Sequence, residues 1–193
     1  MMKKLSYLLI VVGLCIVGYA GWEMVDTKMQ TSKSLQDAHA IVKSPSKKEV
    51  FKDKDGAFKP PVGEAVGILH IPRLNADLPI VEGTDPDDLE KGVGHYKGSY
   101  YPGENGQIVL SGHRDTVFRR AGELEIGDSL EIGLPYGSFE YEITKTKIVE
   151  ADDVSIITLQ NETEELLLTT CYPFSYVGNA PQRYIIYAKT KNI

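Results

Sequence analysis

Cysteine is scarce in this chain: Cys15 and Cys171 are the only two in 193 residues, and no Cys-x-x-Cys pair occurs. Two cysteines cannot staple a disulfide scaffold, and the missing pair removes the usual zinc-site signature. Basic charge is short as well. The chain has 21 Lys and Arg against 27 Asp and Glu, a net charge of −6 and a pI near 5.3. That balance argues against a surface built to neutralise nucleic-acid phosphates. No internal repeat is visible. With 42% hydrophobic and 25% charged residues, the chain has the composition of one that folds around a packed core. Pervasive disorder and collagen-like sequence are therefore excluded. The length suits about one domain with appendages.

One stretch has no charge at all. Leu5 to Trp22 runs for 18 residues, LSYLLIVVGLCIVGYAGW. A helix of that length, at about 1.5 Å per residue, reaches roughly 27 Å, enough to cross the hydrocarbon core of a bilayer. Tyr19 and Trp22 fall near its far end, where amphipathic rings favour the interface. Lys3 and Lys4 precede the run, and Glu23 and Asp26 follow it. The positive-inside bias then puts the N-terminus in the cytoplasm and the rest of the chain outside. A cleaved signal peptide, with Gly18-Tyr19-Ala20 as the cleavage site, is the competing reading. Its apolar core would exceed the ~7–15 residues such peptides use, so a retained single-pass anchor over residues 1–22 is favoured. Both readings export the remainder. Cys15 lies within the apolar run and Cys171 in the exported part, so they do not bridge within one chain. An exported protein with one unpaired thiol is unusual, because oxidising compartments normally pair cysteines. That singles out Cys171.

Residues 23–60 are polar and read as a stalk, with clusters such as Ser44-Pro45-Ser46-Lys47-Lys48 and a closing Pro60-Pro61. A helix continuing out of the bilayer is expected around Val25 to Val42. Its apolar positions, Val25, Met29, Leu35, Ala38 and Ile41, look too sparse to form a core. From 61 to 193 the pattern changes to short strands of one domain. Ala76, Leu78 and Ile80 alternate with polar or proline positions, and Phe139, Tyr141 and Ile143 alternate with Glu140 and Glu142. The phase then slips to Ile148, which predicts a bulge or break near Lys145 to Lys147. Leu130/Ile132 and Ile185/Tyr187 add two alternating pairs. Ile108 to Leu110 and Leu166 to Leu168 are continuous apolar runs, expected of strands buried on both faces. Turn sequences such as Gly83-Thr84-Asp85-Pro86 and Pro102-Gly103-Glu104-Asn105-Gly106 punctuate them. Many short strands at this spacing predict an all-β barrel or sandwich. Asp87 to Lys91 and Thr116 to Leu124 are the expected short helices.

Three residues with chemistry stand at strand ends. Cys171 closes the buried run from Glu164 to Thr170, His113 follows the strand ending near Leu110, and Arg183 begins the last strand. Singly, each has an ordinary structural explanation: a small core hydrophobe, a solvated loop histidine, a rim charge. Together they are what thiol acyl transfer requires: a nucleophile, an acid for the leaving amine and a donor for the oxyanion. Ordinary thiol and imidazole pKa values of about 8.5 and 6.5 leave only a minority of molecules carrying thiolate and imidazolium together at neutral pH. A neighbouring guanidinium favours the thiolate.

On these residues the chain resembles the sortases, specifically the class D type of Gram-positive bacteria. The resemblance covers about Gly67 to the end and rests on Ser111-Gly112-His113-Arg114-Asp115, on Leu168-Thr169-Thr170-Cys171, and on Arg183 twelve residues after the cysteine. The anchor and stalk match the family's layout. The family's usual Thr-Leu-x-Thr-Cys has Leu167 in place of its first Thr, at a position without chemistry. The resemblance implies an eight-stranded β-barrel preceded by one transmembrane helix. It implies a cysteine transpeptidase acting on a Leu-Pro-x-Thr-x signal near the C-terminus of secreted proteins, with a cell-wall precursor amine as acceptor. By the same analogy Cys171 forms the thioester, His113 protonates the leaving amine and Arg183 steadies the oxyanion or the peptide. Thr170 and the segment from Ile148 to Glu164 would help bind the signal.

Arg114 is a rival for the arginine role because it adjoins His113. Among the other histidines, His95 is a candidate for lining the pocket, His70 reads as structural, and His39 belongs to the stalk. The acidic residues Asp152, Asp153, Glu162, Glu164 and Glu165 match no defined calcium loop, so neither a metal nor a cofactor is expected. Two other functions fit the residues: a purely hydrolytic thiol protease, and an anchored binding module with an inert thiol. A papain-like fold is disfavoured because its cysteine precedes its histidine, whereas His113 precedes Cys171 here.

Overall fold

A computed structural model describes residues 2–44, 51, 58–175 and 178–191. The stalk sequence over 45–50 and 52–57 lies outside the described residues. Helix α1 (Met2–Val42) is continuous through both the charge-free run and the polar stretch after it. From Tyr7 to Val25 it is exposed, and the helix is long and apolar enough to cross a membrane. A helix suits that environment because it satisfies its backbone groups internally. Its second half docks on the barrel. Leu35, Ala38, Ile41 and Val42 fall on one helical face and pack against Ala65 and Ile68, and the Thr31 hydroxyl donates to the Glu90 carbonyl at 2.9 Å. Apolar positions too sparse for a core of their own therefore suffice as a docking stripe.

The barrel strands are β1 (Ala65–Ile71), β2 (Ala76–Glu82), β3 (Val93–His95), β4 (Gln107–Gly112), β5 (Ser129–Leu134), β6 (Gly137–Glu150), β7 (Glu165–Tyr172) and β8 (Gln182–Thr190). They close in the order β1-β2-β3-β4-β7-β8-β6-β5. Eight strands give an interior that side chains can fill. Alternate residues do so: Leu69 and Ile71 of β1, Ile108 and Leu110 of β4, Leu130 and Ile132 of β5, Tyr141 and Ile143 of β6, Leu166 and Leu168 of β7, and Ile186 of β8. The other face of three strands is covered too. Val109, Leu167 and Ile185 pack beneath Ile156 and Ile157 of the β6–β7 connection. That second layer is why β4 and β7 read as unbroken apolar runs.

Two strand pairs are parallel, β2 with β3 and β4 with β7; each needs a crossover. The short helix α2 (Pro86–Leu89) lies in the first crossover, where a helix over Asp87 to Lys91 is expected. The helix expected over Thr116 to Leu124 does not form as such. Its amides bond mostly three residues back, Arg119 to Thr116 and Ala121 to Phe118, and one 3₁₀ turn at Ala121–Glu123 ends the run. Gly122 near its end lowers the helix preference. The β6 irregularity is a register shift between Ile143 and Lys145, at the upstream edge of the expected position.

The turn that opens β5 is held by Asp128, whose carboxylate accepts the Glu125 amide at 2.8 Å and pairs with Arg73. Burial pulls its pKa upward, but those two donors outweigh burial and hold the carboxyl below its ordinary value. The folded state therefore binds this proton less readily than the unfolded chain does. The resulting stabilisation is present above the unfolded pKa of ~3.9 and is lost as pH falls through the lower folded value. Asp128→Asn is expected to lower the melting temperature at neutral pH and to make its decline below about pH 4 shallower. Melting curves of both proteins across the acid range test this; parallel acid limbs would reject it.

Candidate active site

The site is built by strand register. Parallel pairing aligns Gly112 of β4 with Thr170 of β7, so His113 leaves β4 beside the end of β7. Antiparallel pairing sets Cys171 opposite Arg183 of β8. Thr170 belongs to the inward series with Leu166 and Leu168, while Cys171 follows Leu167 and Thr169 onto the outer face. The thiol and the Arg183 side chain therefore share the outer face, at the rim. A cleft of about 300 Å³ lies there, lined by His113, Arg114, Asp115, Cys171, Arg183 and the segment 178–180. Cys171 is a free, half-buried cysteine.

The two arginines are held differently. Arg183 donates through one nitrogen to the carbonyls of Ala180 (3.2 Å) and Gln182 (3.0 Å). Among the described residues no carboxylate pairs with it, so its charge faces the cleft unneutralised. Arg114 donates to the Gly178 carbonyl at 2.7 Å and ties the loop after β4 to the loop after β7. Behind the thiol, Tyr172, Phe174 and Tyr184 form an aromatic cluster with ring centroids 5.4–6.1 Å apart. Phe174 also packs so closely on Gly122 that an added Cβ there would lie 2.8 Å from its ring. This cluster was not anticipated from sequence, although Tyr172-Pro173-Phe174 directly after the cysteine was its visible trace.

Two candidates fall elsewhere. The Thr170 hydroxyl is buried and donates to the Gly112 carbonyl at 2.7 Å, fastening the two strand ends together instead of facing the cleft. His95 is only 1% exposed. Its Nδ1 lies 2.6 Å from a Glu82 carboxylate oxygen, its Nε2 lies 3.0 Å from both the Tyr100 carbonyl and the Ser99 hydroxyl, and its ring stacks on Tyr101. Tyr101 donates to the same Glu82 oxygen. Burial, with that carboxylate alongside, pushes the Tyr101 phenol well above its ordinary pKa. His95 is thus a satisfied core group and no part of the cleft. His70 faces Asp77 on the barrel surface, and His39 lies on α1. Among the described residues no group of three or more His, Cys, Asp or Glu side chains is arranged to hold a metal ion.

A family model described as the Sortase domain matches residues 69–191. The chain belongs to the sortase family. It is 62% identical over 195 residues to Sortase D of Bacillus subtilis (strain 168), with 98% of each chain covered. It is 30% identical over 140 residues to Sortase SrtE1 of Streptomyces coelicolor, covering 63% of this chain and 39% of that protein. Among solved structures, the catalytic domain of B. anthracis SrtD is 42% identical with a TM-score of 0.59, covering 71% of this chain and 94% of that one. A Clostridium perfringens Sortase D5 transpeptidase superposes with a TM-score of 0.74 over 85% of this chain and 99% of that one. At 24% identity, that likeness bears on the fold alone. This sortase is thus a cysteine transpeptidase of the class D type on a closed eight-stranded barrel.

The Thr170 strut generates a test. Thr170→Val leaves the Gly112 carbonyl without its side-chain donor and should cost about 1–2 kcal/mol of stability. Turnover should fall about tenfold as the His113 and Cys171 strand ends loosen. Thr170→Ser keeps the hydroxyl and should stay within about twofold of the parent on both measures. Thermal melts with steady-state kinetics on the three proteins decide it. Loss in the Ser variant with little change in the Val variant would show that the methyl, not the hydroxyl, matters.

Proposed function

We propose that this sortase cuts a Leu-Pro-x-Thr-x sorting signal after its Thr and transfers the new carboxyl terminus to an amine of a cell-wall precursor. The observation that carries the reading is the register that puts Cys171 beside Arg183, at the end of the strand next to His113, in one solvent-open cleft. In the first half-reaction the Cys171 thiolate attacks the Thr carbonyl carbon. Arg183 donates to the oxyanion or to the adjacent peptide carbonyl. Collapse of the tetrahedral intermediate breaks the C–N bond, and His113 gives its proton to the departing amine. That leaves a thioester on Cys171 and a neutral imidazole. In the second half-reaction the acceptor amine attacks the thioester, His113 takes up its proton, and the thiolate departs. Water competes for the same thioester, so hydrolysis is the side reaction.

An extended signal peptide would lie on the outer face of β4 and β7, over the half-exposed Ser111 and Thr169, with the segment from Ile148 to Glu164, the end of β6 and its connection to β7, as one wall. Arg114 would border it through its hold on the 178–180 segment. In this reading residues 1–22 are the cytoplasmic tip and anchor, 23–60 the stalk and 61–193 the catalytic unit. The Lys3-Lys4 flank keeps the N-terminus in the cytoplasm and sets the barrel outside. That is where secreted substrates and peptidoglycan precursors meet. The net negative charge does not suit nucleic acid.

The test is intact-mass spectrometry of the detergent-solubilised full chain with a panel of Leu-Pro-x-Thr-x peptides, with and without an added amine. The expected result is an acyl adduct that converts to an amide product. Cys171→Ala should abolish the adduct. His113→Ala and Arg183→Ala should each lower kcat/KM by about 10²–10⁴-fold. An adduct that only hydrolyses, whatever amine is offered, would make the protein a thiol protease. No adduct, with a thiol that resists iodoacetamide, would return Cys171 to a structural role.

A further inference from the structure

Gln107, the first residue of β4, stands at the opposite end of that strand from His113 and is 2% exposed. Its side-chain oxygen accepts the backbone amides of Thr158 (2.8 Å) and Leu159 (3.0 Å). Its side-chain nitrogen donates to the Ile156 carbonyl at 3.1 Å and to a Glu165 carboxylate oxygen at 3.4 Å. Its backbone amide donates to the Gln160 carbonyl at 2.9 Å. One buried residue thus gathers the polar groups of four of the five residues from 156 to 160, a stretch with no strand or helix of its own. Leu159 sits there at φ +50, a left-handed conformation that a leucine holds only under outside constraint.

What this clamp holds bears on the cleft. Ile156 and Ile157 lie on Val109, Leu167 and Ile185. Those three precede, or in antiparallel β8 follow, the rim positions Ser111, Thr169 and Arg183 by one step of the same outer face. The clamped segment therefore forms a ledge beside the strand surface that leads to Cys171, and it presents Leu159 and, nearby, Val154 to solvent. Backbone fixed in this way, with apolar side chains beside a peptide-wide strand floor, suits recognition of an extended peptide.

We propose that Gln107 is a positioning residue for substrate recognition, fixing the 156–160 backbone as the wall against which the signal peptide is read. The inference rests on the sorting-signal reading above. The residue touches neither thiol nor imidazole, so it acts on binding through the wall and leaves the chemistry alone.

The test compares the full chain with Gln107→Met, which keeps the volume without the hydrogen bonds, and with the double variant Gln107→Glu/Glu165→Gln, which keeps the two accepted amides and reverses the bond between positions 107 and 165, so that no second carboxylate faces the first. For Gln107→Met, the KM for a Leu-Pro-x-Thr-x peptide should rise about tenfold or more while kcat stays within about threefold. The rate of Cys171 alkylation should be unchanged, and hydrogen exchange at Thr158 and Leu159 should accelerate. The double variant Gln107→Glu/Glu165→Gln should recover most of the KM and most of the protection. Faster exchange with an unchanged KM would overturn the proposal, because the wall would then not read the peptide. So would a parallel fall in kcat and alkylation rate, which marks a general structural role. The parent enzyme is the separate control: if it acylates on no peptide of the panel, the sorting-signal reading fails and this inference falls with it.

Discussion

The parallel pairing of β4 with β7 is the constraint on which the site depends. Two parallel strands end at the same rim, so a residue following one and a residue closing the other come together whatever separates them in sequence. Here 58 positions separate His113 from Cys171. The crossover between them contains β5 and β6, and those strands close the barrel. Closure then makes β8 the next neighbour of β7, and antiparallel register delivers Arg183 across from the cysteine. Three groups with different chemistry meet because the hydrogen-bond ladders admit one register. That register is pinned in turn by apolar residues that would all change face on a slip of one position.

The two faces of the barrel wall divide the work. Inside, packed aliphatic and aromatic side chains supply stability, and the polar groups buried at the ends of β2 and β3 are matched to partners. Glu82, His95 and Tyr101 form such a set, each side chain hydrogen-bonded within the protein. An unmatched member would cost more than the set contributes. Outside, the wall of β4, β7 and β8 is covered at one end by Ile156 and Ile157 and left open at the other, where Cys171 and Arg183 stand. The reactive rim is thus the uncovered end of the face that this second layer protects.

Helix α1 joins two environments in one element. Its apolar stretch from Tyr7 to Val25 is exposed, whereas four residues of its second half pack it against β1. Between these parts the helix from Ala20 to Thr31 borders a groove of about 550 Å³, with Asp115, Thr116 and Arg119 on the far side. The loop that starts at His113 therefore runs close to the place where the apolar run ends. A short helix-to-barrel contact is enough to keep the cleft near that end of the helix.

Much was legible without coordinates, because local chemistry encodes it. An 18-residue run without charge reads as a helix long enough to cross a bilayer, and it forms part of one continuous helix. Alternation at 139–143 and unbroken runs at 108–110 and 166–168 report one buried face and two, as found. Cys171, His113 and Arg183 stood out because few residue types carry such chemistry and all three sat at strand ends, and the cleft does contain them. What sequence could not decide was the direction of individual side chains. Thr170 and Cys171 are adjacent, yet parity in the pleat sends one inward as a strut and the other outward to the rim. His95 ends its strand as His113 follows its own, but closure of the barrel buries it against Glu82. Gln107 carries no signal of reactivity at all; only a connection folding back from more than 40 residues away gives its amide something to hold. Composition and periodicity are properties of neighbours along the chain, whereas face, depth and partner are set by ladders that join distant segments.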